Sequence, residues 1–305
     1  MIISASRRTD IPALYPEWFI NRVRAGFCTV PRPRDRNVHD TVSLRPADVD
    51  AVVFWTRNPA PLLPHLGELE RQGLGNFMFL FTLLDYPEIM EPGLPPKNVR
   101  IRTFRELASR IGPERVVWRY DPIVISRTFD AKQHVKSFAM LANSLDGATN
   151  RCIISVAEDY PGNRSRLARL ETHGLAPDFS TPGLHEIMEG FAKTASRHGM
   201  EISCCSQPEE VTALGIENAP CIDGERINRL FKTSVPCNKD GGQRARCRCT
   251  RSRDIGAYDT CTHGCLYCYA NADFGRSAGN RREHDPEATS LTGSPQAQLP
   301  LLKYT

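Results

Sequence analysis

Residues 51–84 read AVVFWTRNPAPLLPHLGELERQGLGNFMFLFTLL and contain two short apolar segments with an amphipathic segment between them. AVVFWT at 51–56 and FMFLFTLL at 77–84 are typical of strands that are buried on both faces of a parallel sheet. Leu62, Leu66 and Leu69 recur at a helical spacing between them. The stretch therefore predicts a strand–helix–strand unit.

The same unit recurs along the chain. Further strand-like segments lie at 1–6, 115–119, 152–156 and 201–205. Helical spacing of apolar residues recurs at 18–23, 104–111, 138–145, 184–195 and 227–231. We therefore predict an α/β fold, specifically a full or partial (β/α) barrel of about six parallel strands. A doubly wound open sheet is the alternative, although no G-x-G-x-x-G motif follows a strand.

The composition of the sequence changes beyond residue 232. Residues 233–273 are rich in Cys, Arg and Gly and contain no long periodic element. We predict that they form a cysteine-rich, cluster-binding segment packed at the mouth of a barrel made by residues 1–232. Residues 274–305 are polar with scattered Gly, Pro and Ser, which predicts a loosely ordered tail.

The composition is that of an ordinary globular protein. The 305 residues are 40% hydrophobic and 24% charged, which excludes wholesale disorder. A net charge of +4 is too small to indicate a nucleic-acid partner by itself. The longest apolar stretch, near 77–84, is far shorter than the roughly 20 residues of a membrane span. The first residues lack the pattern of a secretory signal, so we expect a cytoplasmic protein.

The cysteines carry the strongest chemical signal. There are eleven, an odd number, and a cytoplasmic protein keeps its thiols reduced, so disulfides explain them poorly. Cys261, Cys265 and Cys268 form a C-x3-C-x2-C motif, CTHGCLYC. Thiolates this close together need a metal to hold them. Three of them suit three irons of a [4Fe–4S] cluster and leave the fourth iron without a protein ligand.

With Tyr267 before its last cysteine, the motif resembles the C-x3-C-x-aromatic-C motif of the radical S-adenosylmethionine (SAM) superfamily. The resemblance implies a full or partial barrel and a [4Fe–4S] cluster on Cys261, Cys265 and Cys268, with SAM bound at the open iron. It also implies reductive cleavage of SAM, radical chemistry on an unknown substrate, and a reductant such as flavodoxin or ferredoxin. In that superfamily the motif usually follows the first strand, whereas here it follows the whole predicted barrel.

A longer resemblance is to a bacterial family, domain of unknown function 1848, which carries both a C-x-C and a C-x3-C-x2-C near its C-terminus. It rests on IISASRRTDIP at 2–12, VVFWTRNPAP at 52–61, EPGLPP at 91–96, GPERVVWRYDPI at 112–123, CID at 221–223 and DIGAYDTCTHGCLYCYAN at 254–271. A weaker likeness, to spore photoproduct lyase-like proteins, rests on WTRNPAP, EPGLPP and YCYA. These resemblances support the fold and the cluster and imply no particular reaction.

The C-x-C of that family is matched by Cys247 and Cys249, which are candidates for a second metal site. Cys221 and Cys237 are candidate further ligands of it. The alternative is a single structural zinc with the four ligands Cys247, Cys249, Cys265 and Cys268. The sequence leaves both interpretations open.

Polar residues follow several predicted strands, at the end that lines the mouth of a β/α barrel. The candidates for catalytic contacts with substrate are Arg7, Asp10, Arg119, Asp121 and Glu158. The candidates for contacts with SAM are Thr56, Asn58, Glu209 and Tyr267. Because every barrel has polar loops, salt bridges and caps are the competing interpretation for each of them.

Two other function classes stay open. The arginine-rich stretch at 244–253 would bind phosphates, so a zinc-stabilised nucleic-acid-binding protein is one alternative. We favour instead that these arginines balance thiolate charge or face water, because no aromatic residues are interleaved with them. The other alternative is an iron–sulfur protein for electron transfer or sensing that does not use SAM.

Overall fold

A computed structural model describes residues 1–32, 35 and 38–292, and its centre is a seven-stranded sheet in which all neighbouring strands are parallel. The strands are β1 (Ile2–Ala5), β2 (Phe27–Pro31), β3 (His39–Ser43), β4 (Ala51–Thr56), β5 (Phe77–Thr82), β6 (Val116–Ile123), β7 (Arg151–Val156), β8 (Glu201–Cys204) and β9 (Arg253–Asp254). Every predicted strand lies in this sheet. Strands β2 and β3 form a separate antiparallel pair that the sequence analysis did not predict.

The sheet is open. Its strand order is β8–β7–β6–β5–β4–β1–β9, and in the described residues no ladder joins β8 to β9. The mixed α/β fold with a parallel sheet is confirmed, whereas a full barrel is wrong. Closure needs pairing all the way round, and edge strands of four and two residues offer too few backbone groups for it.

The helices are α1 (Ile11–Leu14), α2 (Pro16–Ala25), α3 (Leu66–Arg71), α4 (Lys97–Ile111), α5 (Ala131–Ser144), α6 (Arg164–Ala168), α7 (Leu184–Arg197), α8 (Glu209–Thr212), α9 (Gly224–Phe231) and α10 (Phe274–Arg282). The larger core lies on the face of the sheet that α2, α4, α5 and α7 cover, whereas α9 packs on the other face. Phe54, Phe79 and Trp118 point from the strands into this larger core. Phe138 of α5 stacks on Phe191 of α7 with ring centroids 3.9 Å apart. The helices predicted from periodicity all form.

A smaller core covers the opposite face. The alternate strand residues, among them Val53, Met78 and Val117, pack there against the chain that follows β8. That chain contributes Ile222 and Ile227, together with a group of buried cysteines. Residues 221–249 therefore close the second side of the sheet.

Strand β9 explains how a C-terminal motif reaches the end of the first strand. Ile3 and Ser4 of β1 pair in parallel with Arg253 and Asp254. Since parallel strands end at the same edge, the chain leaving β9 emerges beside the turn after β1. The cysteine motif follows directly.

In place of the predicted loose tail, the chain continues into α10 and packs on α2. Leu291 is buried, and Trp18 Nε1 donates to the carbonyl of Ala288 at 2.9 Å. The polar composition misled because this segment is held by hydrogen bonds rather than by an apolar stripe. The rest of the predicted tail, 293–305, lies outside the described residues. Within the described part of the chain, no helix has the length and apolar character that crossing a bilayer requires.

Candidate functional site

A pocket opens at the carboxyl edge of the sheet, the edge at which parallel α/β sheets bind ligands. Its walls come from the turns after β1, β4, β6, β7 and β8 and from the chain after β9. Its cavity volume is about 230 Å³, and the cavity opens to solvent. All the candidates for substrate contacts line it, namely Arg7, Asp10, Arg119, Asp121 and Glu158.

The cysteine loop, residues 261–268, forms part of the wall of this pocket. Cys261, Cys265 and Cys268 all line it. The backbone N–H of His263 donates to the sulfur of Cys261, and that of Ala270 donates to the sulfur of Cys268 at 3.4 Å. Such donors stabilise thiolates over thiols. Burial acts in the opposite direction and raises the pKa of Cys261 well above its usual value. The loop presents its three cysteine sulfurs to the pocket.

The EPGLPP stretch supports the tip of the cysteine loop. Leu266 N donates to the carbonyl of Met90 at 3.0 Å, and Gly93 N donates to the carbonyl of His263 at 2.9 Å. A Cβ on Gly93 would lie 2.6 Å from that carbonyl oxygen, so only glycine permits this approach. The tip is thus fixed by backbone contacts.

Residues at the start of α6 hold the other end of the loop. Asn163 Nδ2 donates to the carbonyl of Tyr267 at 2.8 Å. The Arg166 guanidinium donates to the carbonyl of Cys268 at 2.6 Å and to that of Asn271 at 2.5 Å. Both side chains are buried. Their contacts fix the backbone around Cys268 to the start of α6.

A buried charged cluster lies beside Cys265. Glu91 accepts hydrogen bonds from Arg57 and from the hydroxyl of Tyr267, and its Oε2 lies 3.4 Å from Nη1 of Arg100. Glu91 is only 3% exposed. Burial raises the pKa of Cys265 to about 12, and the two guanidinium groups act in the opposite direction. Arg57 and Arg100 carry two positive charges, and Glu91 carries only one negative charge. A thiolate on Cys265 would balance the second positive charge.

Asp10 joins three parts of the site. Its Oδ2 accepts from Nε2 of His263 at 2.9 Å and from the backbone N–H of Arg57 at 2.7 Å. Its Oδ1 accepts from the N–H of Ala13 at 3.1 Å and caps α1. The same carboxylate therefore fixes the cysteine loop, the turn after β4 and the turn after β1.

The segment that builds this site coincides with a known family. The model of the family described as Domain of unknown function (DUF1848) matches residues 2–270 of the 305-residue chain. The chain belongs to this family. The match runs from β1 through the cysteine loop, so it includes every wall of the pocket. Comparison with curated proteins finds no match.

In this DUF1848 member the other predicted substrate contacts are paired with neighbours. Arg119 forms a salt bridge with Asp121, and Arg244 Nη1 lies 2.6 Å from Oε1 of Glu158. Arg7 lies over the ring of Trp55, with its Cζ 5.0 Å from the centroid. The structure thus brings these residues together and also gives each one a structural partner.

Two of the four candidates for SAM contacts line the pocket. Thr56 and Tyr267 do so. Asn58 does not, because its Oδ1 accepts from the N–H of Ala60 at 3.4 Å and caps the following turn. Glu209 is exposed at the start of α8 and does not line the pocket either. Asn58 follows β4 and Glu209 follows β8 in sequence, but neither side chain lines the pocket.

The second pair of cysteines belongs to a different group. Cys247 and Cys249 pack with Cys205 and Cys221 in the smaller core. Hydrogen bonds from Cys221 and Cys247 lower the pKa of the Cys249 thiol, and hydrogen bonding to Cys205 and Cys249 raises the pKa of Cys221. The structure therefore does not assemble the zinc site of Cys247, Cys249, Cys265 and Cys268. Cys237, a candidate further ligand, is exposed.

Several residues of the site are not among the candidates predicted from the sequence. They are Arg57, Glu91, Arg100, Asn163, Arg166, Cys205 and Asp254. Asp254 accepts from Ser4 at 2.9 Å, from Ser6 at 2.6 Å and from the backbone N–H of Arg7 at 2.9 Å. The signal that could have found Arg57, Glu91 and Asp254 is that they lie in the stretches that carry the family resemblance.

The donor set of the cysteine loop fits an iron–sulfur cluster. Within the described residues, no group of His, Cys, Asp and Glu is already arranged around one ion. A cubane cluster differs from a single ion because each thiolate binds its own iron, so its sulfurs need not converge. Three pocket-facing cysteines with N–H donors and nearby cations match that requirement.

Proposed function

We propose that the protein is a radical SAM-type enzyme with a [4Fe–4S] cluster on Cys261, Cys265 and Cys268. The observation that carries the proposal is that these cysteines line the same carboxyl-edge pocket as the polar ends of the strands. When bound, the cluster supplies the electron for reductive cleavage of SAM, and a flavodoxin or ferredoxin supplies that electron in turn. The substrate would enter from the open side of the pocket.

The chain's own residues would then hold the charge and exclude water. Arg57 and Arg100 interact with Cys265 and would offset thiolate charge. His263, held by Asp10, fixes the loop between the first two ligands. Electrostatic preorganisation of this kind stabilises charge without reorganisation during the reaction.

The remaining pocket residues would bind and orient the two organic ligands. Thr56 and Tyr267 lie beside the cysteine loop and are suited to contact SAM. Arg7, Asp121 and Glu158 lie on the strand ends and would orient the substrate by charge and hydrogen bonding. The arginine-rich stretch does not favour a nucleic-acid function, because Arg244, Arg248 and Arg253 are engaged within the chain at 2.6, 3.0 and 3.1 Å.

The test is electron paramagnetic resonance of the anaerobically purified, reduced chain with and without SAM. We expect a [4Fe–4S]⁺ signal whose shape changes when SAM is added. The triple variant Cys261→Ser/Cys265→Ser/Cys268→Ser should lose the signal, whereas Cys237→Ser, at an exposed cysteine, should keep it. A cluster signal that ignores SAM would replace this proposal with electron transfer or sensing. Absence of any cluster after reconstitution would reject both.

A further inference from the structure

The second group of cysteines lies outside the cysteine loop and has no role in the proposed function. Cys205 follows β8, Cys221 precedes α9, and Cys247 and Cys249 come from the C-x-C stretch. They are 9%, 2%, 6% and 2% exposed, respectively. Apart from Cys247 and Cys249, which are neighbours in the C-x-C, they are separated by 16 residues or more, so the fold brings these thiols together.

Their sulfurs form a continuous set of contacts. The Sγ of Cys221 lies 3.0 Å from that of Cys205. Cys249 is hydrogen-bonded to both Cys221 and Cys247, and it accepts from the backbone N–H of Ile222 at 3.4 Å. Four thiols in one buried cluster are poor hydrogen-bond partners for each other, because sulfur is a weak donor and a weak acceptor.

The surroundings supply positive charge. Arg7 interacts electrostatically with Cys249, and Arg119 with Cys205 and Cys221. Nη2 of Arg7 and Nε of Arg119 are buried without a hydrogen-bond acceptor among the described residues. Four thiolates around one divalent ion carry a net charge of −2, and the two guanidinium groups, which also interact with Asp121 and Asp254, would stabilise such a centre.

The spacing of the sulfurs distinguishes a single ion from a cluster. Zinc–sulfur bonds of about 2.3 Å place tetrahedral sulfurs roughly 3.8 Å apart. Cys205 and Cys221 are already closer than that, so binding needs the 3.0 Å separation to widen by about an ångström. A cubane spreads its thiolates over separate irons and would force this packed group much further apart.

The position of the group indicates what a metal would do. Residues 232–252 contain no helix or named strand, yet they close the second face of the sheet. Val235 is the only buried hydrophobic residue they add besides cysteine. A segment with so little apolar surface gains stability from a bound metal, as small metal-binding domains do.

From these contacts we propose a second metal centre, a structural Zn²⁺ bound by Cys205, Cys221, Cys247 and Cys249. Binding converts the four thiols to thiolates and releases their protons to solvent, with no change of oxidation state. The centre fixes residues 221–249 on the sheet. Through Cys205, which also lines the pocket, it supports part of the pocket wall.

The test is metal analysis of the full chain with zinc-edge X-ray absorption. We expect about one zinc per chain with four sulfur neighbours at about 2.3 Å. The triple variant Cys261→Ser/Cys265→Ser/Cys268→Ser should retain this zinc, which separates the result from the fate of the proposed function. Cys249→Ser should lower zinc content by more than about tenfold, and Cys237→Ser should not change it.

Three results would overturn the proposal. One is a zinc-free protein after growth and refolding with zinc, and another is nitrogen or oxygen in the zinc shell. The third is iron in place of zinc in the triple variant. A Cys205–Cys221 disulfide detected by mass spectrometry in the anaerobic protein would overturn the proposal for the same reason as a zinc-free protein, because two of the four thiolates would be missing. Because the absorption spectrum is measured on chains with all four ligands intact, failure of Cys249→Ser to fold leaves the test valid.

Discussion

Nε2 of His263 lies 2.9 Å from Oδ2 of Asp10, so the cysteine loop is tied directly to the turn after the first strand. Both side chains are buried. The contact joins residues far apart in sequence, and β9 makes it feasible by pairing beside β1. The relation between these two residues is what connects the C-terminal motif to the carboxyl edge of the sheet.

Asp10→Asn should loosen the cysteine loop. The variant loses the charge and one of the two acceptor oxygens that His263, Arg57 and Ala13 use. We expect the free energy of unfolding to fall by about 1–3 kcal/mol, since a buried donor loses its partner. Iron bound per chain should fall as well. Urea unfolding and iron analysis measure the two effects.

The control for Asp10 is Asp146→Asn, at an exposed carboxylate that pairs with His198. Its effect should stay within about 0.5 kcal/mol. Equal effects of the two substitutions would mean that the Asp10–His263 contact contributes nothing special.

Glu91→Gln should be among the most destabilising single substitutions at the site. It leaves the guanidinium groups of Arg57 and Arg100 facing a neutral amide in a buried position. Removing one partner of a buried ion pair costs about 3–5 kcal/mol. Denaturant unfolding should show this loss. Glu106→Gln, which breaks the exposed pair with Arg110, should cost less than about 0.5 kcal/mol.

Gly93→Ala should displace the tip of the cysteine loop. The new Cβ would lie 2.6 Å from the carbonyl oxygen of His263, and backbone cannot yield as a flexible side chain can. We expect a loss of about 1–3 kcal/mol, the usual cost of overpacking, and lower iron content. Gly279→Ala in α10 meets nothing within 4 Å and should be neutral or slightly stabilising. Wild-type stability and iron content in Gly93→Ala would contradict the support assigned to EPGLPP.

The sequence predicts the fold best where local pattern and burial agree. The apolar runs at β4 and β5 are buried on both faces, so composition alone identifies them. Strand β9 has only Arg253 and Asp254 and exists because β1 offers it a free edge. No local pattern encodes such a strand. Its absence from the prediction is also why six strands were expected and the seventh was missed.

The candidate site also combines residues that a local sequence pattern identifies with residues that only the tertiary fold brings together. The spacing of Cys261, Cys265 and Cys268 is a local signal, and the position of Arg7 after a strand is nearly local. The partnership of Arg57 with Glu91 depends on two loops meeting. Charged residues normally indicate surface, so sequence alone assigns such a buried pair to solvent.

The pH dependence of stability should contain a contribution from His134. Nε2 of the buried ring donates to the carbonyl of Val124 at 3.1 Å, and Nδ1 accepts from the hydroxyl of Tyr120 at 3.0 Å. The neutral ring is fully satisfied, and burial lowers the pKa of His134 from 6.5 to about 4. Between pH 6.5 and about pH 4, His134 is protonated in the unfolded chain and neutral in the folded chain. Stability from this group is therefore complete above about pH 6.5 and is lost as the pH falls towards about 4, by about 3 kcal/mol in total. Urea unfolding of wild type and His134→Gln across this range should give stability differences that shrink as the pH falls, and parallel curves would exclude the contribution.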